Sequence, residues 1–271
     1  MYSQQDPKKV SHLLKDVDVI DEGLYIFPVH PQERGLREDE SNELMAKAYS
    51  DGYGNYVDQL IFRFALNNCF RPGHLSNQPL VFLEFGGGEG KFFDRVASSC
   101  KFYFNAEPSG LGRSAGFIER LKDQRYVHLR CSAEELPLKD GVVDVVIALA
   151  PLDHIPRLTD ALNEAKRVLR PGGTFLFSLN NRGSWWKRIL ANSRMLKQRE
   201  ALILKDHYIL WNASEAREVM SRYFGAGSVS TVCFLPQIPY VWKFAMPFAN
   251  LLGPLVCPNW GGNIVGVYRK A

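Results

Sequence analysis

Val81–Phe92 reads VFLEFGGGEGKF, an apolar run that breaks abruptly into glycine. Residues 80–85 are short, apolar and bounded by a turn signal, which predicts a buried strand of a parallel sheet. Gly86, Gly88 and Gly90 follow it directly, and a helix is expected to begin near Lys91. Glycines at this place let the main chain turn tightly and let a ligand approach backbone that a side chain would otherwise cover. The spacing is G-x-G-x-G. A dinucleotide fingerprint needs a third glycine three residues after Gly88, where this chain has Lys91. A phosphate-binding loop of the GK[ST] type fails too, because Phe92 follows Lys91. A plain glycine-rich turn is the alternative reading.

Downstream the chain alternates strand and helix. Residues 102–106 (FYFNA), 126–130 (YVHLR) and 142–149 (VVDVVIAL) read as strands, the last of these β-branched and almost wholly apolar. Residues 158–169 have helical spacing, with Leu158, Leu162, Ala165, Val168 and Leu169 on one face. Arg170-Pro171-Gly172-Gly173 should stop that helix with a left-handed glycine cap. Strands follow at 174–179, 228–235 and 263–269. The alternation implies an α/β fold, a doubly wound, mostly parallel sheet with helices on both faces. Glu107 ends the second strand, roughly twenty residues past the glycine loop, where a carboxylate accepts hydrogen bonds from ribose hydroxyls. A lone acid there could equally be solvated or capping; its spacing to the loop favours the ligand.

The 271 residues suit one α/β domain with an appendage. Net charge is +4, too mild to argue for nucleic acid. Five cysteines lie far apart, without the spacing of a zinc site or a disulfide framework, and no metal cluster is apparent. The first residues carry no apolar signal run, so a reducing cytoplasmic setting is expected.

Taken in order, VFLEFGGGEG, FNAEPS, CSAEELPLKDGVVDVVIALAPLDHI and LNEAKRVLRPGGTFLFSLNN resemble the class I, seven-stranded, S-adenosylmethionine-dependent methyltransferases, of the small-molecule and quinone-biosynthesis type. The resemblance covers about 80–180. It implies an antiparallel last strand and S-adenosyl-L-methionine as cofactor. It further implies that Glu84 and the Gly86–Gly90 backbone border the methionine portion, that Glu107 holds the ribose, and that Pro108 and Ser109 sit beside the adenine. Ser132 stands where the family often has Asp; the contact to the adenine amino group would pass in part to the backbone of Ala133 and Glu134. Ala148 to Ala150 would line the site, and His154 stands where many members carry a histidine, the candidate general base. Asp153 and His207 are weaker candidates. His12, His30, His74 and His128 are read as structural or exposed.

The acceptor side lies outside the resemblance. Residues 1–75 are read as a mostly helical extension capping the acceptor site, with 76–271 as the catalytic domain. Residues 181–205 carry seven Lys/Arg and Glu200 alone as acid, with Trp185, Trp186, Ile189 and Leu190 giving an apolar side. Within a lid segment over 182–225, this basic stretch would hold an anionic acceptor, lie on an anionic membrane surface, or be a solvated helix. In Tyr223–Tyr268 the one charged residue is Lys243. Its five prolines leave no apolar run near the roughly 20 residues needed to cross a membrane. The insert at 237–261 is too apolar for an ordinary loop; it would wall an acceptor pocket, pack on the N-terminal extension or form a dimer contact. Tyr53, Tyr56, Trp185 and Trp186 are candidate acceptor contacts. The expected partner is a small-molecule acceptor with an apolar or aromatic body, with neither nucleic acid nor a membrane span; the alternatives are a methyltransferase acting on RNA or protein and a non-catalytic protein that keeps the fold, and oligomeric state is unread.

Overall fold

A computed structural model describes residues 10, 12–15, 24–26, 53–69, 78–108, 114–190, 208–235 and 241–271. The strands are β1 (Leu24–Ile26), β2 (Leu80–Phe85), β3 (Cys100–Ala106), β4 (Tyr126–Arg130), β5 (Val143–Leu149), β6 (Leu169–Asn180), β7 (Gly227–Val232) and β8 (Asn263–Arg269). They form one sheet in the order β1-β4-β3-β2-β5-β6-β8-β7. Pairing is parallel from β1 through β6, and β8 runs antiparallel to both its neighbours. All seven expected strands are present, with their ends shifted by a few residues. The eighth is β1, three residues of the N-terminal segment added to the edge beside β4.

β2 lies at the centre and alternates between two cores, because successive side chains leave opposite faces of a strand. Val81, Leu83 and Phe85 enter one core with Phe104, Leu129, Val146 and Phe177; Leu80 and Phe82 enter the other with Tyr103, Tyr126 and Ile147. The first face is covered by α4 (Leu158–Val168) and α6 (Ala213–Phe224). On the second face α1 (Tyr53–Cys69) lies against β5, β6 and β8, and Phe62 meets Phe92 edge-on, 5.4 Å between ring centres. Two shorter helices, α2 (Phe93–Val96) and α3 (Ala115–Lys122), complete that side with Phe93, Val96 and Phe117.

Three local expectations change. α4 ends without a glycine cap: Leu169 is already extended (φ −64°, ψ 133°), its N–H bonds Ala165 O, and the chain enters the sheet at once. Gly172 does adopt a positive φ, 74°, but inside β6, where its N–H bonds Lys270 O. The second change is at 213–224. This part of the expected lid is α6, a core helix whose Phe224 stacks on Phe175 at 4.6 Å. The third is the apolar insert, whose residues Val241–Val256 form α7, continuous through Pro247 and Pro254. No helix among the described residues is long and apolar enough to cross a membrane.

Candidate active site

The glycine loop leaves β2 at the carboxyl edge of the sheet, where ligands of open α/β sheets bind. Gly86, Gly88 and Gly90 all adopt positive φ, 56°, 55° and 72°. Gly86 N–H bonds Ala106 O at 2.8 Å, which ties the loop to the end of β3. A side chain placed on Gly88 would meet no atom within 4 Å, so the chain leaves open space against bare backbone there. Glu107, the first residue beyond β3, turns its carboxylate to this point: Gly88 N–H donates to Oε2 at 3.0 Å. Gly86, Gly88, Gly90 and Glu107 therefore converge. Pro108 follows Glu107, half-buried; Ser109 lies outside the described residues.

Glu84 sits beneath the loop rather than at its open side. It is buried, and a side chain on Gly87 would come within 2.3 Å of its Oε2. Tyr103 Oη donates to the same oxygen at 2.5 Å. Burial dominates its protonation and pushes the carboxyl up to about 7, against the opposing Tyr103 bond. Next to it Asn105 Nδ2 donates to Gly88 O (2.7 Å) and to Tyr126 Oη (2.9 Å), with His128 Nδ1 at 3.3 Å. His128 is enclosed rather than exposed, faces Phe117 edge-on, and is held down to about 4 by burial. Tyr103, Asn105, Tyr126 and His128 thus form a polar layer that props the loop. Their signal in the sequence was the i, i+2 spacing on two strands, Tyr103/Asn105 and Tyr126/His128.

Beyond β4, the Ser132 hydroxyl is occupied within its own turn: it donates to Glu134 Oε2 and accepts from Glu134 N–H at 3.1 Å. Glu134 Oε1 accepts from Arg157 N–H at 3.4 Å. Ala133 is buried in the core beside them. Ala148 is fully enclosed there too, so the residues at the open end of β5 are Leu149, half-buried, and Ala150, exposed with φ 73°.

The segment leaving β5 closes on the loop: a Cβ on Gly86 would lie 2.6 Å from Pro151 Cβ. Three residues on, the His154 side chain is about half exposed, and its Nε2 lies 3.9 Å from Asp153 Oδ1. Asp153 is buried; its Oδ2 accepts from Asn180 Nδ2 at 2.9 Å and its carbonyl from Tyr208 N–H at 2.7 Å. A fixed carboxylate beside an accessible imidazole is an arrangement that can hold a proton.

Of the candidate acceptor contacts, Tyr56 is half-buried on α1, and Tyr53 begins that helix with its side chain outside the described residues. Trp185 and Trp186, on α5 (Trp185–Leu190), are pinned to the segment after β7: their Nε1 groups donate to Phe234 O (2.8 Å) and Cys233 O (3.3 Å). Trp185 lines an apolar groove of about 350 Å³ with Phe234, Leu252, Val256 and Trp260. His207 lies outside the described residues, and no cluster of metal-ligating side chains occurs among those described.

Residues 83–177 match the family model described as a methyltransferase domain. A ubiquinone/menaquinone biosynthesis C-methyltransferase of Brucella anthropi is 34% identical over 113 residues, 39% of this chain and 40% of that protein. The chain spans about two fifths of the length of the curated relatives it matches. Among solved structures, phosphoethanolamine N-methyltransferase 2 of Haemonchus contortus, in complex with phosphomonomethylethanolamine and S-adenosylhomocysteine, superposes with TM-score 0.55 at 17% identity, over 90% of this chain and 62% of that one. The 1,6-didemethyltoxoflavin-N1-methyltransferase of Burkholderia thailandensis, bound to 1,6-didemethyltoxoflavin and S-adenosylhomocysteine, does so with TM-score 0.52 at 16% identity, over 87% and 91%. Residues 83–177 are thus similar to a methyltransferase domain, and the sheet that holds them has the fold of these solved methyltransferases.

Proposed function

We propose that this chain transfers a methyl group from S-adenosyl-L-methionine to a small molecule with an apolar or aromatic body. The observation that carries the reading is the open space over Gly88 beside the Glu107 carboxylate. The donor set suits the cofactor: uncovered backbone for its amino-acid portion, and a carboxylate that can accept from a ribose diol. When bound, the cofactor supplies an activated methyl on a sulfonium. Glu107 holds the ribose and is itself steadied by Gly88 N–H. The turn at Ser132–Glu134 borders the adenine through its backbone, since the Ser132 hydroxyl is engaged with Glu134.

The chain's remaining contribution is alignment and exclusion of water, effects that can supply roughly 7–11 kcal/mol when geometry is good. His154 takes the proton from an acceptor that arrives protonated, with the Asp153 carboxylate, held by Asn180, 3.9 Å from its Nε2. The apolar groove at Trp185 and α7 accommodates the acceptor's body. Relatives named for ubiquinone/menaquinone biosynthesis and for 1,6-didemethyltoxoflavin support a small-molecule acceptor.

Titration calorimetry with S-adenosylhomocysteine tests the cofactor site. Glu107→Ala should weaken binding about ten- to a hundredfold, the scale of roughly 1.5–3 kcal/mol for a hydrogen bond to a charged group. Unchanged affinity in that variant would reject the site. Methylation rates compared across lipophilic and polar acceptors test the substrate class, and equal rates would reject an apolar body. His154→Ala should leave cofactor affinity intact while lowering turnover.

A further inference from the structure

α7 is apolar on two faces. Its inner face is docked: Met246 is buried, Asn250 Oδ1 accepts from Cys233 N–H at 2.9 Å, and Gly253 lies so close to Phe234 that a Cβ there would be 2.3 Å from its ring. Its outer face carries Phe244, Phe248, Leu251, Leu252 and Leu255, at the i, i+4, i+7, i+8, i+11 spacing of a single stripe. These side chains are bare: Phe248 and Leu251 are each 69% exposed and Leu255 80%. A surface helix ordinarily presents polar residues there, and a continuous exposed apolar face marks an interaction site. The patch extends past the helix to the exposed Trp260, which lines the groove with Leu252 and Val256.

Its charge is one-sided. From Tyr223 to Tyr268 the chain has no acid and one base, Lys243. α5 joins the same patch through Trp185, whose N–H bonds Trp260 O at 3.3 Å, and carries the exposed Arg188; Lys187 is half-buried, donating to Gly262 O at 3.0 Å. The sequence continues after α5 with Arg194, Lys197, Arg199 and Lys205, against Glu200 as the one acid of 191–205. An exposed apolar stripe with tryptophan at its edge, joined to a stretch of sequence rich in bases, suits an anionic lipid interface: the stripe enters the acyl boundary and the bases meet the headgroups. A second copy of the chain fits less well. A 16-residue helix is about 24 Å long, so one face about 10 Å wide covers on the order of 250 Å², against the roughly 800 Å² per partner of a stable interface.

We propose that the outer face of α7, with the basic end of α5, docks the protein on anionic membrane surfaces. The helix lies in the interface and does not span it. The site of contact is at the carboxyl edge of the sheet, because α7 connects the end of β7 to the start of β8 there. An apolar acceptor dissolved in the bilayer would then reach the groove at Trp185 without crossing water. The docking does not depend on methyl transfer and is measured without turnover.

Flotation of the full chain with vesicles provides the test. Vesicles of phosphatidylcholine with 30% phosphatidylglycerol should carry the protein upward, and phosphatidylcholine alone should carry at least tenfold less. Raising the salt to 0.5 M should weaken binding to the anionic vesicles without abolishing it, since charge is screened and apolar insertion is not. The triple variant Phe248→Ser, Leu251→Ser, Leu255→Ser should bind at least tenfold more weakly. Its S-adenosylhomocysteine affinity and circular dichroism should match those of the parent. Leu255→Gln alone, at a solvent-facing position that folding does not need, should give a smaller loss in the same direction. Absence of wild-type binding to anionic vesicles would overturn the proposal. So would variants that bind as tightly as the parent, or a triple variant whose sole change is from dimer to monomer on gel filtration.

Discussion

Gly87 and Gly88 are neighbours of the same residue type with different reasons to be glycine. At Gly88 the reasons are φ, 55°, and the open space outside it. Gly88→Ala should therefore cost roughly 1–2 kcal/mol of stability, the penalty of a left-handed non-glycine residue, while its methyl enters the space a cofactor would fill. S-adenosylhomocysteine affinity should fall by at least tenfold, measured by calorimetry beside a urea unfolding curve. At Gly87 the reason is Glu84 and Asn105, whose oxygens lie 2.3 and 2.5 Å from an added Cβ. Both oxygens belong to the pinned polar layer, so Gly87→Ala should act on folding first, by about 1–3 kcal/mol as overpacking does. The same urea curve, with its midpoint moved further than that of Gly88→Ala, checks the contrast. The G-x-G-x-G spacing was legible in the sequence. That Glu84 supports the loop from behind was not, because a residue two before the loop can face either side until the strand has neighbours.

At the scale of elements, the polar layer between β2, β3 and β4 is a titrating unit. The native state holds the Glu84 proton up to about pH 7, whereas an unfolded glutamate releases it near pH ~4.3. Stability contributed by the protonated form is therefore complete below pH ~4.3 and is lost as pH rises toward 7, by on the order of 3 kcal/mol. Glu84→Gln keeps an acceptor for Tyr103 Oη and does not titrate. The difference in urea midpoint between wild type and this variant should grow from pH 5 to pH 8 in the variant's favour. Taking the difference cancels the opposite trend from His128, which is common to both. A constant difference would show that Glu84 is already ionised in the fold. α6 offers a separate check. Asn212 accepts from Ser214 and Glu215 N–H, and Glu215 returns a bond to Asn212 N–H, a complete capping box. Asn212→Ala should cost about 0.5–2 kcal/mol, read as a lower melting temperature with cofactor affinity unchanged.

For the whole molecule, a ligand that binds the native sheet edge and not the unfolded chain must raise stability by mass action. S-adenosylhomocysteine at a hundred times its dissociation constant should add about 2.7 kcal/mol, roughly 5 °C or more for a chain of this size. NAD at the same concentration should add nothing, and the reverse result would transfer the site to a different nucleotide. The sequence by itself determined where seven strands lie, that glycine must follow β2, and that an acid follows β3. Those are local facts: a buried parallel strand writes itself as a short apolar run, and a left-handed turn admits glycine with little competition. Tertiary structure decided the rest. It set β1 beside β4, joined Glu84, Tyr103, Asn105, Tyr126 and His128 into one layer, made 213–224 a core helix, and left one face of α7 uncovered. Each of these depends on which strands lie side by side. Parallel pairing joins segments far apart in the chain, so the partner that gives a side chain its burial and its hydrogen bonds is absent from the local pattern.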